Sequence, residues 1–353
     1  MRFFKIILIN IIFLVLFLEI TSFFIIKFTF FPNGLHTGAV LRADETFSVW
    51  HPKNFKIKLA TKCWESEVKF NSLGLKQTNE IGNTKKKIAI LGDSMTENLQ
   101  SSNENDFRSK LQNLLPNYEI INFSVASTGL ADQIKIYKNL IKKYEVDYVF
   151  LYPTSNDLED NFIKSYRPYR TTYKYEDEKI IKLEKNKKFF ENYNSIFNRF
   201  KRNQLMEIKK ISSFYKVYAY TKYVLIPNRD YEKKQKKNIE PETDYSQNEI
   251  IFEYILENAE KEIFNEVETL IFLNLPMTKD YKKPLNLKIM TKILSKYDFF
   301  YDPYEDSIKF MKDRNKFKPN YLSHSCDTHY TDLGTEFLAN YTYKIFKNEY
   351  NLK

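Results

Sequence analysis

Four short runs rich in β-branched and aromatic residues recur along this chain, and each is followed by a segment whose apolar residues return at helical spacing. The runs are 86–91 (KKIAIL), 118–123 (YEIINF), 147–152 (DYVFLY) and 269–274 (TLIFLN). The helical segments are 105–115, 131–144, 247–264 and 286–297, and a last one covers 332–346. In 247–264 the apolar positions are Ile250, Ile251, Tyr254, Ile255 and Ala259. Parallel strands must be joined by long crossovers, and helices are the usual crossover. The alternation therefore predicts an α/β domain, a parallel sheet covered by helices on both faces. In such sheets ligands sit beyond the carboxyl ends of the strands, so the residues just after each run are the place to seek chemistry. Glycine is scarce, 7 in 353 residues. A G-x-G-x-x-G dinucleotide loop and Gly-rich repeat architectures are thereby excluded.

The flanks of this pattern carry separate signals. The chain begins MRFFKIILINIIFLVLFLEITSFFIIKFTFF. The apolar run 6–26 is long enough to cross a hydrocarbon core of roughly 30 Å. Arg2 and Lys5 precede it and no small-x-small cleavage site follows. Residues 1–31 thus read as a retained single-pass anchor in the inner membrane. Its basic N-terminus would be cytoplasmic and the rest of the chain periplasmic or extracellular. Glu19 is costly inside a membrane unless it is protonated, paired or close to an interface. Residues 32–84 read as a polar, irregular lead-in with one strand-like piece at 68–70, and 85–350 as the α/β domain. Cys63 and Cys326 are the two cysteines. In an oxidising compartment they could pair; otherwise they are two thiols.

Residues 163–245 interrupt the alternation. They read as a hairpin over 171–183, then basic, aromatic helix-like stretches, then a loop marked by Pro227, Asn228 and the run 233–237 (KKQKK). The net charge of +10 resides here, with 21 Lys and Arg against 11 Asp and Glu, whereas the remaining residues balance at 34 against 34. The segment reads as an insertion that serves as a cap, a partner surface or a membrane-facing face. A basic surface suits an anionic glycan or lipid head group. Tyr and Phe are abundant along the whole chain, so aromatics in the insertion read as packing and not as a nucleic-acid platform.

The residues after the strands are chemically suggestive. Gly92-Asp93-Ser94 follows the first run, Ser124, Ser127 and Gly129 the second, and Ser155-Asn156-Asp157 the third; Asp327-Thr328-His329 precedes the last helix. A serine hydroxyl is a poor nucleophile until a base takes its proton. A histidine oriented by a carboxylate is such a base. Bland alternatives exist: Asp93 and Ser94 as a helix cap, Asn156 and Asp157 as a turn. His324, Cys326, Asp327 and His329 have the side chains of a zinc site, without a standard spacing. Taken in order, the blocks resemble the SGNH, or GDSL-type, hydrolases over roughly 86–160 and 266–345. Segments 68–76 (VKFNSLGLK) and 156–161 (NDLEDN) resemble membrane-anchored members.

That resemblance implies a three-layer, flavodoxin-like SGNH-hydrolase fold carrying an N-terminal transmembrane helix and an insertion. It implies Ser94 as nucleophile, His329 as base and Asp327 as the residue that orients it. The oxyanion donors would be the backbone N–H of Ser94, the backbone N–H of Ser127 (with Gly129 as the alternative) and the side-chain amide of Asn156. The chain departs from the family at three points. Ser127 stands where glycine is normal, Thr154 where glycine is frequent, and Asp327 lies two residues before His329 where three is common. The implied chemistry is acyl transfer on esters of envelope glycans or lipids, with no cofactor, no metal and no nucleic acid. Water as acceptor makes an esterase, and a sugar hydroxyl an O-acyltransferase. A non-catalytic glycan-binding scaffold is the third reading. Oligomeric state is not legible.

Overall fold

The computed structural model describes residues 2–29, 31–83, 85–183, 185–222, 245–275, 283–314, 321–324 and 326–351. The apolar N-terminal run forms one helix, α1 (Arg2–Phe28). Its segment Phe3–Phe28 has a mean hydropathy of 2.6 over its most apolar stretch, none of which is buried in the protein. At 1.5 Å per residue such a helix is about 39 Å long, enough to cross a hydrocarbon core.

The lead-in is more ordered than its polar composition suggests. β1 (Arg42–Asp44) pairs with β2 (Ser48–Trp50), and β3 (Phe55–Ala60) pairs with β4 (Glu65–Phe70), both antiparallel. In the second hairpin Ile57 and Leu59 face Val68 and Ser66 across the strands on the buried side. On the other side Lys56 meets Glu67 and Lys58 meets Glu65, each at 2.7 Å. This period-two alternation is a half-buried sheet pattern, and the charged outer row conceals it in a composition-level reading. The inner row joins Leu35, Val40, Trp64, Leu99 and Met206 in a small core of its own.

The main sheet contains β5 (Lys86–Gly92), β6 (Tyr118–Asn122), β7 (Tyr148–Tyr152), β10 (Glu268–Phe272) and β11 (Phe300–Tyr301), in the spatial order β6-β5-β7-β10-β11. Every pairing in it is parallel. Relabelled by position in the chain this is the 2-1-3-4-5 order of flavodoxin-like sheets, whose ligand crevice lies at the switch point between the first and third strands. Here those strands are β5 and β7. Ala89 and Leu91 of β5 face one layer, with α4 (Leu130–Asn139), α9 (Ser246–Ala259) and α10 (Leu285–Leu294). Ile88 and Ile90 face the other, with α3 (Phe107–Leu114) and α12 (Asp332–Glu349). A strand buried on both sides must be apolar throughout, which is why these runs stand out in the sequence. β11 and α11 (Tyr304–Asp313) do not, because β11 is two residues long and half-buried and α11 is mostly polar.

Short helices α2 (Ser94–Glu97) and α5 (Asp157–Asp160) follow β5 and β7. The interrupting segment holds the hairpin β8 (Thr172–Glu176) and β9 (Lys179–Leu183), then α6 (Lys187–Asn194), α7 (Ile196–Ile211) and α8 (Ser213–Tyr220). Pro227, Asn228 and the basic run 233–237 lie outside the described residues.

Candidate active site

β5 ends at Gly92, and the chain turns at once into α2. Asp93 caps that helix, its carboxylate accepting from the Met95 N–H at 2.9 Å. The cap and the site are therefore one structure. It fixes Ser94 at the first helical position, at the carboxyl edge of the sheet. His329 comes from the loop before α12, and its Nε2 lies 2.8 Å from Ser94 Oγ. Its Nδ1 is hydrogen-bonded to Asp327 Oδ1. The other oxygen of Asp327 accepts from Trp64 Nε1 at 3.2 Å and from Gln100 Nε2 at 3.4 Å. Hydroxyl, imidazole and carboxylate form one hydrogen-bonded chain, the arrangement needed to move a proton off a serine. The two-residue spacing of Asp327 and His329 accommodates it.

The charges are tuned accordingly. Burial works against a charged His329, but its hydrogen bond to Asp327 and the charges of Asp327, Asp93 and Glu97 outweigh that, and its pKa is raised. Burial would raise Asp327, yet the His329 bond and charge hold it down to about 2. Asp93 is raised by burial, against its bonds to Met95, Asn156 and Thr154. Asp157 is raised further by burial and by the nearby Asp93 and Asp160.

The expected oxyanion donors surround this chain unequally. Ser127 is half-buried with φ +67°, so serine occupies the left-handed conformation in which glycine is usual. Gly129 is placed differently. It is buried, has φ −106°, and its N–H caps α4 by donating to Asp132 Oδ2 at 3.3 Å. Asn156 is drawn to the serine turn. Its Nδ2 donates to Asp93 Oδ2 at 3.2 Å and to Asp160 Oδ2 at 2.7 Å, so both amide hydrogens rest on carboxylates. Thr154 donates from Oγ1 to Asp93 at 3.0 Å and from its N–H to Asp157 at 2.8 Å, which ties the end of β7 to the serine turn.

Several residues that no motif marks hold these parts in place. Arg170, buried and just ahead of β8, donates to the Ser127 carbonyl from Nε (3.2 Å) and Nη2 (2.9 Å). Its Nη1 pairs with Asp160 at 2.6 Å. One guanidinium thus grips the Ser127 turn and the carboxylate that holds Asn156. Glu97, fully buried, accepts from the Ala126 N–H at 2.6 Å, beside Ser127, and lies 2.7 Å from His51 Nε2. His51 Nδ1 in turn contacts the Gly74 carbonyl at 3.0 Å. Only the buried, acceptor-rich character of the turns points to such partners, and no spacing does. Cys63 and Cys326 are joined in a disulfide. It ties the β3–β4 turn to the Asp327–His329 loop, and Trp64 beside it reaches Asp327. With Cys326 bonded to Cys63, the zinc alternative loses its thiolate. Among the described residues no cluster of three or more His, Cys, Asp and Glu side chains is set to hold a metal ion.

No protein-family model matches this chain, and no curated protein does either. Solved structures of similar shape include the acetyl xylan esterase AlAXEase, 12% identical, with a TM-score of 0.40, over 73% of this chain and 98% of that one. A lipase/acylhydrolase from Enterococcus faecalis is 11% identical, with a TM-score of 0.41, over 75% and 96%. Axe2, an acetylxylan esterase from Geobacillus stearothermophilus, is 11% identical, with a TM-score of 0.39, over 77% and 98%. At such values the likeness carries no functional weight.

Proposed function

We propose that this chain is a membrane-anchored serine hydrolase of the SGNH type. The observation that carries the reading is the chain from Ser94 Oγ through His329 to Asp327, set beyond β5 at the switch point between β5 and β7. Ser94 Oγ attacks an ester carbonyl while His329 Nε2 takes its proton. The carbonyl oxygen becomes an oxyanion held by the N–H groups of Ser94 and Ser127, and by Asn156 once one of its amide hydrogens leaves a carboxylate. Collapse expels the alcohol, protonated by His329, and leaves the acyl group on Ser94. Water, deprotonated by His329, then releases the acid. A sugar hydroxyl in its place would receive the acyl group.

The disulfide supports an oxidising compartment, and α1 with its basic start supports an inner-membrane anchor with the site outside. Acyl groups on envelope glycans or lipids are then the substrates within reach. The full-length protein in detergent should release acetate from O-acetylated envelope polysaccharide. Product analysis with an added sugar acceptor separates hydrolysis from transfer. Turnover no greater than that of Ser94→Ala, on polysaccharide and on simple aryl esters alike, refutes the enzyme reading. It would favour a glycan-binding scaffold, which the serine at position 127 and the two carboxylates on Asn156 support.

A further inference from the structure

α7 packs on the domain by one side only. Met206 is buried in the lead-in core, whereas Ile196, Phe197, Phe200, Ile208 and Ile211 are 54–88% exposed. On a helical wheel these five fall in an arc of roughly 120° on the side away from Met206. The carboxylate within that arc, Glu207, is paired with Lys210 at 3.1 Å. Arg199 and Lys201 flank it. Soluble surfaces rarely leave such a stripe to water.

The neighbouring helices say what covers it. α8 follows α7 after a single residue, Ser212, and packs along α1. Glu19, the acidic residue of the anchor, caps α8. It accepts from Ser212 Oγ, from the Ser213 N–H at 2.8 Å and from the Phe214 N–H at 3.3 Å. The apolar run 6–26 matches a hydrocarbon core in length, and Glu19 lies about 10 Å of helix before its end. Glu19 and the first turn of α8 therefore sit close to the depth that an interfacial helix reaches, about 5–10 Å into the boundary of head groups and acyl chains. A cavity of about 800 Å³ at this level is lined by apolar Phe23, Ile26 and Ile211 and by Lys27, Lys62 and Lys216, the mixture a head-group boundary favours.

We propose that α7 lies along the surface of the bilayer that α1 crosses. Its five apolar side chains enter the boundary between head groups and acyl chains, and the flanking Arg199 and Lys201 sit among anionic head groups. The proposal rests on the reading of α1 as a membrane anchor. With two contacts, the domain is held at one height and tilt, and its site keeps a fixed distance from the membrane.

Brominated-lipid quenching tests it on the full chain in vesicles of phosphatidylcholine and phosphatidylglycerol. Two variants are compared, Phe200→Trp in α7 and Phe13→Trp in the middle of α1. The native Trp50 and Trp64 are buried, and because Trp64 borders the cavity beside α1 the emission of the unsubstituted chain in the same vesicles is subtracted. Phe200→Trp should lose most of its added emission to bromines high on the acyl chain and little to bromines near its end. Phe13→Trp should show the reverse. Quenching of Phe13→Trp alone overturns the proposal and spares the anchor, whether the stripe then stays in water or meets a second copy of the chain. No quenching of either variant overturns the anchor reading and the proposal with it.

Discussion

Ser127 holds a left-handed backbone that glycine adopts more readily. A left-handed backbone at a residue other than glycine costs about 1–3 kcal/mol, and it persists where the surroundings over-determine it. Here Arg170 holds the Ser127 carbonyl and Glu97 the preceding amide. Ser127→Gly should stabilise the protein by about 1 kcal/mol, read as a higher denaturant midpoint, with activity retained. Arg170→Lys keeps a charge for Asp160 but loses the planar fork. It should lower kcat roughly 10–100-fold with KM little changed, and steady-state kinetics on an aryl ester would show a rise in KM instead if Arg170 served substrate binding alone. The raised pKa of His329 sets a pH dependence. The base must be neutral, so kcat/KM should fall toward acid with a midpoint above the ordinary value of about 6.5. Asp327→Asn removes the charge that favours imidazolium, and the midpoint should move down as the rate falls. Ser94, Asn156, Asp327 and His329 were legible because each stands at a strand end or before the last helix. Arg170, Asp160 and Glu97 were not, because their roles exist only after the insertion and the lead-in pack against the turns.

Among elements, the buried strands declared themselves and the half-buried ones did not. β5, β6, β7 and β10 are apolar on both faces, so their runs are conspicuous. β3 and β4 alternate with lysine and glutamate, and β1, β2 and β11 are too short to carry a pattern. The lead-in proves to be a support for the Asp327–His329 loop, through the disulfide and Trp64. Cys326→Ser, with Cys63→Ser beside it, should lower stability by about 2–5 kcal/mol in equilibrium unfolding. Both should weaken catalysis, since Asp327 would lose a fixed neighbour. Activity unchanged by loss of the disulfide would leave the lead-in as scaffolding only. Which backbone amide follows β6 into the site was open in the sequence. The Gly129 N–H caps α4, whereas Ser127 lies in the turn that Arg170 holds.

At the scale of the molecule, the strand order puts a switch point between β5 and β7, and the serine turn and the Asn156 turn meet there because of it. The strand–helix alternation foretold the sheet, but the order of strands was not written in any local pattern; it follows from crossover handedness and from which faces can be covered. An activated Ser94 is what the whole arrangement would serve. The most direct test is reaction of the full-length protein in detergent with a fluorophosphonate probe, beside Ser94→Ala and His329→Ala. The wild type should take the label, and both variants should lose it. A folded wild-type protein that takes no label, or label that survives Ser94→Ala, would contradict that activation.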